Sequence, residues 1–183
     1  MKRIATSLLA LGLLFLGSTL STHAQNVVEP PEQRASPLMM TRAMLGDAYV
    51  KITYSSPRKR DRDIFGGLVP MDAVWRTGAN EGTELTVTHD IKMGGETLPA
   101  GTYTLFSIPG ASEWTIIVNS VPNQWGSRGY DESNDVMRVR VPVTMMDDMH
   151  EAFTIGLEEI DEQTLHLGIM WDQTMVKVPL TSM

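Results

Sequence analysis

Apolar and polar residues alternate with a period of two along most of this chain, a rhythm that predicts strands rather than helices. Ala48, Val50, Ile52 and Tyr54 share one face of a segment whose other face carries Tyr49, Lys51 and Thr53. Gly46-Asp47 ahead of it suits a hairpin turn, which makes Leu38–Leu45 a preceding strand. The Met- and Ala-rich composition of that piece suits a helix equally well. Glu84–Ile91 alternates again, with Leu85, Val87, His89 and Ile91 in phase, so His89 is expected to face the core. Gly94-Gly95 and Pro99-Ala100-Gly101 turn the chain, and the β-branched and aromatic Thr102–Ile108 follows. Trp114–Asn119 is apolar on both faces, as a central strand is. Met137, Val139, Val141 and Val143 oppose Arg138 and Arg140, and Phe153–Leu157, Leu165–Trp171 and Val176–Leu180 repeat the pattern. About eight or nine short strands at near-regular spacing predict a single all-β domain, an antiparallel β-sandwich or barrel-like fold.

Two stretches break the rhythm. At the N-terminus, Lys2 and Arg3 precede a mostly apolar run, Ile4–Gly17, and Thr22-His23-Ala24 places small residues at the −3 and −1 positions of a cut before Gln25. These are the three parts of a cleavable signal peptide, residues 1–24, which predicts an exported protein, periplasmic or secreted. The apolar run is short of the ~20 residues a membrane span needs, so no transmembrane segment is expected after cleavage. Residues 25–37 hold three prolines and read as a flexible, weakly ordered leader, leaving 38–183 as the β domain. The second break is Ser55–Gly82, a long connection of the kind that is often functional, with a short helix expected around Met71–Arg76 after Pro70.

Charge and cysteine content narrow the chemistry. The signal holds two of the 15 basic residues and none of the 22 acidic ones, so the remaining chain carries 13 against 22, a net −9. Such an acidic chain repels a phosphate backbone, which argues against nucleic acid. There is no cysteine, so disulfides, thiol chemistry and a lipid anchor on cysteine drop out.

The long connection also carries a resemblance. Ser56-Pro57-Arg58, Ile64-Phe65-Gly66, Leu68-Val69-Pro70 and above all the run Val74-Trp75-Arg76-Thr77-Gly78-Ala79-Asn80-Glu81 resemble the domain of unknown function family number 2911. The likeness continues through Leu98–Tyr103, Ile108-Pro109-Gly110, Glu113–Ile117 and Gln124-Trp125-Gly126, so it spans nearly the whole β domain. Met71-Asp72 departs from the expected aromatic and small pair after Pro70. The resemblance implies an exported bacterial protein and brings no activity, cofactor or catalytic residue with it.

Candidate chemistry therefore rests on the residues. Arg58, Lys59, Arg60, Arg62 and Arg76 stand against Asp61, Asp63, Asp72 and Glu81 in the connection, so it is locally basic in an acidic chain. Guanidinium groups there could grip a carboxylate or phosphate, and Trp75 and Trp125 could offer flat stacking surface to a sugar. Arg58, Trp75, Arg76, Asn80, Glu81 and Trp125 are the candidate ligand-binding residues. The competing structural role is that Arg76, Asn80 and Glu81 tie down a long loop that lacks a ladder. No metal or cofactor is expected: Asp131–Asp135 begins like a calcium loop but lacks its glycine and closing glutamate, and Met145, Met146, Met149 and His150 suit gap-filling as well as Cu(I). Three functions follow in order: a non-catalytic module binding a small anionic or glycan-like ligand, a hydrolase using Glu81 as acid or base, and a structural partner in the cell envelope.

Overall fold

The computed structural model describes residues 33–183; the expected signal peptide and the expected leader as far as residue 32 lie outside the described residues. Nine strands form one antiparallel sheet: β1 (Leu38–Leu45), β2 (Ala48–Ser55), β3 (Thr83–Val87), β4 (Ile91–Met93), β5 (Glu96–Leu98), β6 (Gly101–Pro109), β7 (Glu113–Asn119), β8 (Asp135–Asp161) and β9 (Thr164–Ser182). Their spatial order is β1-β2-β3-β6-β7-β8-β9-β4-β5. The all-β expectation and the strand count both hold. Leu38–Leu45 is a strand, because the Gly46-Asp47 hairpin pairs it residue by residue with β2 and buries Ala43 and Leu45.

Two very long strands wrap this sheet around one core. The first part of β8 pairs with β7 and the rest with β9, across register shifts between Met145 and Thr154. Such irregularities bend a strand and let it pass from one layer to the next. Residues of both halves accordingly share one apolar cluster, from Val50, Ile52 and Leu85 on one side to Ile91, Leu98, Leu167 and Val178 on the other. The wrap is tight at the β4–β5 turn, where a Cβ on Gly94 would lie 2.3 Å from Val139 Cγ1.

β7 is buried on both faces, as its composition predicted. Its outer face is covered locally: Ile117 and its cross-strand neighbour Phe106 lie beneath the 120–134 loop, with the Tyr130 ring 5.0 Å from Phe106. Tyr130 donates to Asp135 Oδ2 at 2.7 Å, and burial together with that carboxylate pushes its hydroxyl up to about 12.

Two local expectations are corrected. His89 is exposed rather than in the core, because β3 ends at Val87 and the chain turns before β4. That turn is held by Thr88 Oγ1, which accepts from Tyr49 N, and by Asp90, which accepts from Ala100 N. No helix forms around Met71–Arg76; Asp72 N and Trp75 N donate instead to Pro109 and Ser107 carbonyls of β6, each at 2.8 Å. Residues just ahead of β1 contact the connection: Ser56 N donates to Pro37 O at 2.9 Å, and Asn80 Nδ2 donates to Ser36 O.

A candidate anion-binding cleft built on the Ser55–Gly82 connection

The connection between β2 and β3 lies on the sheet without joining it, pinned by three isolated bridges: Arg58 to Ala152, Trp75 to Ser107 and Glu81 to Trp125. Between the pins the backbone is unusual. Of the seven described non-glycine residues at positive φ, five lie here: Arg60, Asp61, Asp72, Thr77 and Asn80. A β-branched residue such as Thr77, at φ 54°, reaches this region only when its surroundings impose it. Thr77 is fully buried, shares a 2.9 Å hydrogen bond with Ser107 Oγ, and its carbonyl accepts from Thr83 Oγ1 at 2.6 Å. Gly78 beside it sits at φ 144°, with Ser55 O only 3.0 Å from where a Cβ would stand.

The run from Trp75 to Glu81 divides between the two roles weighed for it. Trp75 and Thr77 point inward. Trp75 is 7% exposed and stacks on Trp171 at 6.1 Å, with Phe65, Trp114 and Phe153 edge-on around it. Its faces belong to the core, so stacking surface for a sugar falls to Trp125, 68% exposed. Arg76 and Asn80 line a cavity of about 420 Å³. Arg58, Arg60 and Arg62 line it too, together with an apolar wall of Leu68, Val69, Pro70, Val74 and the edges of Trp75 and Trp171. Ala35 and Ser36 of the leader close one side, and Ser127 another.

No carboxylate of the described residues lines this cavity. The loop's own acids, Asp61, Asp63 and Asp72, all lie elsewhere, and none of the four arginines makes an ion pair with a described residue. Arg62 turns its Nε to Lys59 O at 2.9 Å and so helps to shape the loop. Arg76 Nε is buried without a hydrogen-bond partner among the described residues, an arrangement that costs about 1–3 kcal/mol when nothing offsets it.

Four of the six candidate residues, Arg58, Trp75, Arg76 and Asn80, thus meet at one cavity, while Glu81 and Trp125 stand beside it. Glu81 forms an ion pair with Arg34, whose hydrogen bond holds the carboxyl below the usual glutamate range, and Ser55 Oγ donates to it at 3.4 Å. A group shifted that way is a poor proton donor near neutral pH. Among the described residues no cluster of His, Asp and Glu could hold a metal ion, and Met145 and Met149 are exposed at the register shift of β8. Sequence reasoning had counted Arg60 and Arg62 among the loop's charges without choosing them, and it missed Trp171, Ser127 and the Ala35-Ser36 wall. Only the arginines carried a signal, as a basic run in an acidic chain.

The family described as protein of unknown function (DUF2911) matches residues 36–180. This chain belongs to it. The match spans nearly all the described residues, so every lining residue of the cleft except Ala35 lies within the DUF2911 match. No curated protein and no solved structure matches the chain.

Proposed function

We propose that this DUF2911 protein is an exported, non-catalytic binding module that takes a small anionic or glycan-like ligand in the cleft between Arg58 and Asn80. One observation carries the reading: among the described residues four arginines and no carboxylate line a single cavity, and one of them keeps a buried donor without an acceptor. Walls of low polarity around like charges concentrate their field and draw in an anion. A ligand oxygen on Arg76 Nε would satisfy the orphan donor, and the planar forks of its neighbours suit carboxylate, sulfate or phosphate oxygens. The signal-like N-terminus supports export.

Arg76→Met tests the site, because it keeps the apolar stem and removes only the charged donors. Titration with benzoate, methyl glucuronide and phenyl phosphate should show binding to the wild type that falls at least tenfold in the variant. The melting temperature should stay level or rise, since the substitution deletes an unsatisfied buried group. A variant that binds as the wild type does, or that unfolds early, would make Arg76 a structural residue and end this reading.

A further inference from the structure

The cleft holds more charge than one carboxylate can balance. Several other cations meet an acid: Lys59 meets Asp172 at 2.8 Å, Arg138 meets Asp135 at 2.8 Å, and Lys177 meets Glu158 at 2.6 Å. Arg58, Arg60, Arg62 and Arg76 instead line about 420 Å³ with no acid among the described lining residues. Like charges that line one cavity repel one another, and a doubly charged ligand relieves that repulsion further than a singly charged one. Opposite them stands the apolar wall from Leu68 to Val74, backed by Trp75 and Trp171.

Resting on the binding reading above, we infer that the ligand is a dianion joined to a small apolar body: a soluble phosphate monoester. Its three terminal oxygens can accept from several guanidinium forks at once, which a carboxylate cannot match. The apolar wall receives the body. The overall net charge of −7 argues against an anionic lipid surface as the source of that phosphate.

This choice has a signature in pH. A phosphate monoester loses its second proton near pH 6, whereas sulfate monoesters and benzoate keep one charge through this range. Arginine does not titrate there, and among the described residues neither histidine nor carboxylate lines the cavity. The charged groups packed around it are Glu151, whose Oε1 accepts from Arg60 N, Glu81 in its pair with Arg34, and Asp172 in its pair with Lys59. His150 stands opposite Asp172 in the β8–β9 ladder and is the nearby imidazole to control for. The non-titrating phenyl sulfate supplies that control, since any change in its binding reports on the protein.

The experiment is calorimetric titration of the full chain with phenyl phosphate, phenyl sulfate, benzoate and inorganic phosphate at pH 7.5 and pH 5. Phenyl phosphate should bind at least tenfold tighter than phenyl sulfate or benzoate at pH 7.5. At pH 5, where only about a tenth remains dianionic, its affinity should fall about tenfold while that of phenyl sulfate holds. Equal binding of sulfate or benzoate at pH 7.5, or no fall at pH 5, overturns the dianion and leaves an anion cleft standing. Inorganic phosphate binding as tightly as phenyl phosphate removes the apolar body. Sedimentation with phosphatidic acid vesicles, but not with phosphatidylcholine alone, would overturn the soluble source in favour of a lipid headgroup. If no probe binds, and Arg76→Met behaves as wild type, the proposed function itself fails.

Discussion

Trp75 and Arg76 are neighbours in sequence with opposite environments, and that contrast separates what holds the loop from what the loop presents. Trp75 joins Phe65, Trp114, Phe153 and Trp171 in one aromatic cluster, where each edge or stack adds about 0.5–1.5 kcal/mol beyond burial. Trp75→Ala should therefore lower stability by about 3–5 kcal/mol in chemical denaturation, a large share of what a domain of this size has. A loss under 1 kcal/mol would mean that the cluster closes without it. Sequence had made both residues ligand candidates. Residue type cannot tell a buried tryptophan from a stacking platform, because the same apolar faces serve both; only packing against Trp171, nearly a hundred residues on, decides.

Among the elements, the Ser55–Gly82 connection is the informative one. Its length and its basic character were legible, and so was its departure from alternation. Its internal form was not: Met71–Arg76 after Pro70 has the makings of a first helical turn, yet β6 offers Pro109 and Ser107 carbonyls that outcompete it. The long-range bridge wins because it satisfies backbone donors and buries Trp75 at once. Gly78 is the hinge of this arrangement, at φ 144° with Ser55 O 3.0 Å from where a Cβ would stand. Gly78→Ala should cost about 1–3 kcal/mol and weaken phenyl phosphate binding as well, since Arg76 and Asn80 flank it. Unchanged denaturation and binding would show that the loop can relax around the methyl group. His89 teaches the same lesson in a strand: the alternation through Leu85, Val87 and Ile91 is real, but a turn held by Thr88 and Asp90 carries His89 out to solvent.

For the whole molecule, charge sets how stability varies with pH. Glu81 and Glu158 are held below the ordinary glutamate value of 4.5 by Arg34 and Lys177, and Asp131 below 3.8 by Ser133. Depressed carboxyls contribute stability above those values and lose it as pH falls through the lower, folded ones. Tyr54, Tyr103 and Tyr130 are raised above 10.0 by burial, so their contribution is present below pH 10 and is lost as pH rises further. Urea midpoints measured across the range should be level from about pH 5 to about pH 9 and fall on both sides. A steady slope across that interval would point to a titrating group outside these six.

The sequence by itself determined the class of fold, the hairpin that makes β1, and a basic connection set in an acidic chain. Periodicity, turn residues and net charge are local or additive, so they can be read without coordinates. Tertiary structure alone decided that β8 and β9 run through their irregularities as single strands, and that Trp75 belongs to the core. It also decided that four arginines share one cavity while the loop's own aspartates face elsewhere. Those facts depend on which distant segments meet, and the loop's bridges to β6 and β8 settle that only once the sheet has wrapped around its core.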